Sequence, residues 1–243
     1  MHSEVFNEIM RYWQSSYYVD GLAILCQCIA LVSGIRYYRK RKEGLYFILY
    51  TVAWLIGFTI IYYIHYYIKI AGKNPGASVI FFETCIVLIS IVEYASFSWF
   101  QFKILSLTKN KKLVKFLALL FAIPVTLFFI KLVTGSSWET VQHLSYTLSS
   151  YEMVLLLIPC LLYFYESVIT KKQDTLFSRP SFWIICALFL YCIAVIPFFL
   201  VADKFMSGNR TVYNIGFTLH LSSFSLLFLA LVKAFSLNKP LIA

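Results

Sequence analysis

Charge is what this sequence has least of: 13% of its residues are Asp, Glu, Lys or Arg, and only 11 are acidic, in a chain that is 60% hydrophobic. A water-soluble domain of 243 residues would need far more charge to cover its surface. Histidine is scarce too. His2, His65, His143 and His220 stand alone, with no HxxxH or HExxH spacing, which argues against an intramembrane metal hydrolase and leaves no metal site to assign. The six cysteines show no CxxC spacing and all fall in apolar runs, where they read as small fillers; no disulfide framework is expected.

What is present is hydropathy in repeated runs of bilayer-crossing length. Seven can be traced, over residues 18–36, 45–68, 78–102, 113–134, 148–169, 181–202 and 213–235. Each must be helical, because a strand in lipid leaves backbone groups unpaired. The longest connection, about 13 residues around Ser136 to Thr147, is too short for a domain of its own. The expectation is an all-α polytopic membrane protein, a single bundle of seven transmembrane helices over 1–243. A segment over 1–17, with Val5, Phe6, Ile9, Met10 and Trp13 on one helical face, reads as an interfacial amphipathic stretch preceding a retained first span.

The net charge of +10 is a topology signal. Fifteen of the 21 Lys and Arg lie at one end of the predicted helices, in the clusters Arg36 to Lys42, Lys103 to Lys115, Lys171 to Arg179 and Lys233 to Lys239. The positive-inside rule then puts the N-terminus outside and the C-terminus in the cytoplasm, with the basic clusters against the lipid headgroups and no nucleic acid as partner. Tyr62, Tyr63, Tyr66, Tyr67, Tyr37 and Tyr38 read as headgroup-level anchors. Pro124, Pro159 and Pro197, inside the fourth to sixth spans, are expected to kink them.

Ionisable groups inside the spans are the candidate chemistry. Glu83, Glu152, His220 and His65 are expected at similar depth in the outer half of the bundle, where they would line a polar ligand-binding cavity. Glu93, flanked by Ser90 and Ser96, lies about 15 Å below Glu83 at 1.5 Å per residue and reads as an interhelical hydrogen-bonding group. That separation excludes a carboxylate dyad between Glu83 and Glu93, which needs carboxyls about 3 Å apart. Lys233 is too near the end of the last span to carry a retinal Schiff base. No internal repeat points to a transporter.

The stretch LLYFYESVITKKQDTLFSRPSFWIICALFLYCIAVIPFFLV, residues 161–201, has a Tyr-Phe-Tyr-Glu helix end, a basic loop, an Arg-Pro-x-Phe-Trp helix start and Tyr191 further on. It resembles a family of uncharacterised seven-helix integral membrane proteins of Bacteroidota. The resemblance implies a seven-helix sensory module encoded beside a sensor histidine kinase, with no catalytic residues and no cofactor to carry over. From the residues themselves, Arg179 is expected to pair with Glu166, and Trp183 to sit at the cytoplasmic interface, together forming a docking face. The functional expectation is a non-enzymatic sensory or signalling component of a bacterial inner (cytoplasmic) membrane, binding a small or lipid-like ligand or a membrane partner. The alternatives are a small-solute or proton-coupled transporter and a structural accessory subunit.

Overall fold

The computed structural model describes residues 2–57, 75–169, 173–206 and 210–242, and their side chains apart from those of 2–20, 75, 78, 173–175, 201–206 and 210–214. Among the described residues seven helices follow in order: α1 (His2–Lys40), α2 (Leu45–Ile56), α3 (Pro75–Ile104), α4 (Thr108–Val133), α5 (Trp138–Ile169), α6 (Pro180–Met206) and α7 (Arg210–Ser236). Short 3₁₀ turns at Lys42–Gly44 and Gln173–Ser178 join α1 to α2 and precede α6. Six of the seven helices are long and apolar enough to cross a membrane, and α2 is described over 12 residues. The chain is a multi-pass membrane-type helical bundle. No strand occurs among the described residues.

Polarity is distributed as lipid demands. Leu119, Leu200 and Val133 are 70%, 65% and 86% exposed, while Gln27, Glu83, Glu93, Gln101 and Glu152 are each at most 1% exposed. With hydrocarbon outside, apolar side chains face outward at no cost, and polar ones turn inward to find each other.

Side-chain pairs fix the register of the helices. Tyr50 meets Phe97 and Phe47 meets Phe100, so α2 runs antiparallel to α3; Tyr50 meets Phe228 and Trp54 meets Phe224, so α2 also runs antiparallel to α7. Gln101 reaches Cys160, and the amide of Leu107 reaches Glu166, so α3 and α5 are parallel with a constant offset. Helices α1, α2, α3, α5, α6 and α7 pack in a closed ring in that order, and α4 lies outside it against α3 and α5. At Gly216 a Cβ would stand 2.6 Å from Phe198, so only glycine allows α7 this close to α6.

Two sequence expectations change here. Helix α5 starts at Trp138 and not near residue 148, and the connection expected around Ser136 to Thr147 shrinks to 134–137. The physical reason is local. Gly135, at φ 74, ends α4 with a Schellman turn in which the Ser136 amide bonds the Lys131 carbonyl, and Ser137 Oγ accepts from the Thr140 amide to open α5. The first turns of α5 are polar on average but amphipathic, with Val141, Ser145 and Leu148 all buried on one face, so a hydropathy window passes over them. In α1 the helix runs unbroken from His2 through the expected boundary at residue 17. Pro159 sits inside α5, and Gln101 Nε2, on α3, donates to the Leu156 carbonyl at 2.9 Å, joining the two helices near the proline.

Candidate functional site

The register just described brings one layer of side chains to the middle of the ring. Trp54 of α2 lies opposite Glu93 of α3 and donates its indole N–H to Glu93 Oε2 at 2.8 Å. The offset that pairs Leu107 with Glu166 and Gln101 with Cys160 carries Glu93 to Glu152. The two carboxyl groups are close enough to interact electrostatically, and Tyr50, Tyr191 and Cys192 feel both of them. Tyr191 of α6 meets Phe224 of α7, which packs edge-on against Trp54 and closes the circuit. Gly34 of α1 touches Ile48 of α2, and counting back from this contact sets Gln27 at the level of Trp54.

This layer is short of hydrogen bonds. Glu93 Oε1, both carboxyl oxygens of Glu152, the Tyr50 hydroxyl and both amide atoms of Gln27 are buried with no hydrogen-bond partner among the described residues. The Ser90 hydroxyl stands beside Glu152 and is the donor offered to it. Buried polar atoms left in this state cost about 1–3 kcal/mol each, so their gathering in one layer calls for an explanation. The chemistry offered is specific: several acceptors on two carboxyls, few donors, an aromatic wall of Trp54, Tyr50, Tyr191 and Phe224, and no group of three or more potential metal ligands among the described residues.

No family model, curated protein or solved structure matches the chain. Its site is therefore read from its own side chains.

Glu152 is the principal correction. It was expected in the outer half of its span, level with Glu83; the ten additional residues at the start of α5 move it to mid-helix, level with Glu93. Glu83 is buried, at 1% exposure, but lies about 15 Å along α3 from that level, where the α3–α5 offset sets it beside Gln142. The α3–α5 offset thus sets Glu83 and Glu152 at different levels of the bundle. His220 stays close: it packs 5.9 Å from Tyr191 and among Phe198, Phe199 and Phe224, one turn above the carboxyl layer, with Nδ1 buried and unpartnered among the described residues. His65 lies outside the described residues.

The other expected residues occupy defined places. Ser96 Oγ donates to the Tyr46 carbonyl at 3.3 Å, tying α3 to α2. Glu166 accepts from the Ser106 amide and hydroxyl, the Leu107 amide and Asn110 Nδ2, at 2.7, 2.7, 3.1 and 2.7 Å, so α5 holds the start of α4 with a carboxylate placed at a helix N-terminus. Arg179 sits near Tyr163, whose hydroxyl contacts Ser181 Oγ at 3.2 Å. Trp183 Nε1 donates to the Phe177 carbonyl, and Lys233 Nζ lies 5.8 Å from its ring. The residues that sequence reasoning missed are Trp54, Tyr50 and Gln27. Their signal was available only after the helix registers were known, since aromatic and amide side chains are ordinary in membrane spans.

Proposed function

We propose that this protein is a non-enzymatic sensory component of a bacterial inner membrane, its N-terminus outside, in which the occupancy of the Glu93–Glu152 pair sets how the ring of helices packs. The observation that carries the reading is the concentration of unpartnered acceptors at that pair, on two helices of one ring and at mid-helix depth. Intramembrane carboxyls are expensive, and two in mutual reach are more so. A proton, or a small ligand presenting a positive charge or several donors, would relieve the cost and draw α2, α3 and α5 together. Ligand binding then acts by population shift, because only a packing that offers both carboxyls is favoured. The basic ends of the helices, with Trp183, Arg179 and the turn held by Glu166, would present the change to a membrane partner such as a sensor histidine kinase.

The same pair also favours a second reading, a proton-coupled carrier, since mid-membrane carboxyls serve coupling in transporters. One experiment separates the two. The protein is reconstituted into liposomes, the part of its tryptophan fluorescence that is absent from Trp54→Phe is followed during a pH step, and an entrapped pH indicator reports flux. The sensory reading expects a fluorescence change that disappears in Glu152→Gln, with no flux above empty liposomes. Flux lost in Glu152→Gln would replace it with the carrier. The absence of both a fluorescence change and flux at every pH between 5 and 9 would sink both.

A further inference from the structure

The lipid-facing side of α3 and α4 carries a feature the carboxyl layer does not use. Because α4 stands outside the ring, the two helices leave a groove of about 380 Å³ between them, lined by Ile91, Tyr94, Trp99, Phe102, Ala118 and Phe121 among others, and by Lys115. Its floor is the stacked pair Tyr94 and Phe121, with ring centroids 4.1 Å apart. Trp99 stacks on Tyr46 at 3.9 Å and is held there. From Ile91 to Phe102 the groove follows α3 for about 16 Å, from mid-helix to the basic end.

Chemistry changes along that length. The inner part is aliphatic and aromatic. At the basic end three lysines gather over the rings: Lys115 Nζ is 5.1 Å and Lys111 Nζ 5.8 Å from the Phe102 ring, and Lys103 Nζ is 5.9 Å from the Trp99 ring. No acidic side chain lines the groove, and the nearby Glu166 carboxylate is engaged by Ser106, Leu107 and Asn110. A cleft within the hydrocarbon region is filled by hydrocarbon, and positive charge at its mouth selects what the hydrocarbon is attached to.

We infer that the α3–α4 groove is a binding site for an anionic phospholipid of the surrounding bilayer, one acyl chain lying along Tyr94 and Phe121 and the phosphate held by Lys103, Lys111 and Lys115. The aromatic rings under the ammonium groups keep the lysines extended toward the headgroup level, which is where a phosphate would stand. Tyr94 in its floor lies within electrostatic reach of Glu152, but the lipid site does not rest on the carboxyl pair. Its failure leaves the functional reading above untouched.

The test uses Trp99 as the reporter. The full chain is reconstituted in bilayers containing dibrominated phosphatidylglycerol or dibrominated phosphatidylcholine, and the quenching absent from Trp99→Phe is assigned to the groove. The expected result is a larger association constant for the anionic lipid, falling about fivefold for each lysine neutralised in Lys111→Gln and Lys111→Gln/Lys115→Gln. Equal constants for the two lipids, or an anionic preference unchanged in the double variant, would overturn the proposal and leave only ordinary annular lipid. Should the double variant not fold, Ala118→Trp fills the groove from α4 without altering charge. Native mass spectrometry should then show the anionic lipid that co-purifies with the parent chain to be lost, and its retention would equally overturn the site.

Discussion

Trp54 gives its indole N–H to Glu93 Oε2 at 2.8 Å, a bond between α2 and α3 in a layer where other acceptors go unserved. Trp54→Phe keeps a ring against Phe224, 4.7 Å away, but removes the donor together with part of the indole's volume. It should cost about 2 kcal/mol, the loss expected for a hydrogen bond to a buried carboxyl. In detergent that amounts to a fall of about 4–8 °C in Tm for a chain of this size. In a cycle with Glu93→Leu, which removes the acceptor, the two changes should be non-additive by about 1 kcal/mol or more; additivity would mean the bond is not formed.

The bundle was legible in the sequence and its centre was not, for a reason that these residues illustrate. Hydropathy reports how many apolar residues sit in a window, so α3, α4, α6 and α7 were placed to within a few residues. It does not report amphipathicity, and the start of α5, polar outside and packed through Val141 and Leu148, read as a loop. That error of ten residues moved Glu152 by about 15 Å in expected depth and matched it with the wrong glutamate of α3. The interhelical character of Glu93 could be argued from its neighbours along the helix. Its partners could not, because Trp54 and Glu152 are 39 and 59 positions away and only packing sets their level.

Glu166 ties the turn between α3 and α4 to α5 through four donors. Glu166→Ala leaves the Ser106 and Leu107 amides and Asn110 without their acceptor and should lower stability by about 2–4 kcal/mol. Glu166→Gln, which keeps one acceptor oxygen and turns an amide group toward donors, should recover less than half of that. Thermal unfolding of the two variants side by side checks it, and equal Tm values for Ala and parent would refute it.

The segment after α7 folds back onto the first two helices. The Tyr37 hydroxyl donates to the Lys239 carbonyl at 2.9 Å and accepts from the Leu241 amide at 3.2 Å, while Glu43 Oε2 accepts from the same amide at 2.9 Å. Tyr37→Phe/Glu43→Ala should loosen this attachment without disturbing the spans. Hydrogen exchange at the Leu241 amide is expected to rise about fivefold for each net bond lost, at about 1 kcal/mol per bond. Exchange that stays at the parent rate would show that the burial of Leu241, 1% exposed, holds the segment by itself.

Glu152 separates a structural role from a functional one. A buried carboxyl that serves the fold is hydrogen-bonded, and removing it costs about 3–5 kcal/mol; one kept for binding is a burden on the folded state, and a neutral isostere relieves it. Neither Glu152 oxygen has a hydrogen-bond partner among the described residues, although the side chain is 1% exposed beside Glu93. Glu152→Gln and Glu152→Met should therefore leave Tm unchanged or raise it by about 2–4 °C for each kcal/mol gained, while the Trp54 response to a pH step is lost. Glu93→Gln should instead lower Tm slightly, because Glu93 accepts from Trp54 and an amide oxygen accepts less strongly than a carboxylate. Opposite signs at two neighbouring glutamates are hard to obtain from packing alone. A fall of more than about 2 kcal/mol in Glu152→Gln would identify Glu152 as a bonded structural residue and remove the ground for a binding site at this layer.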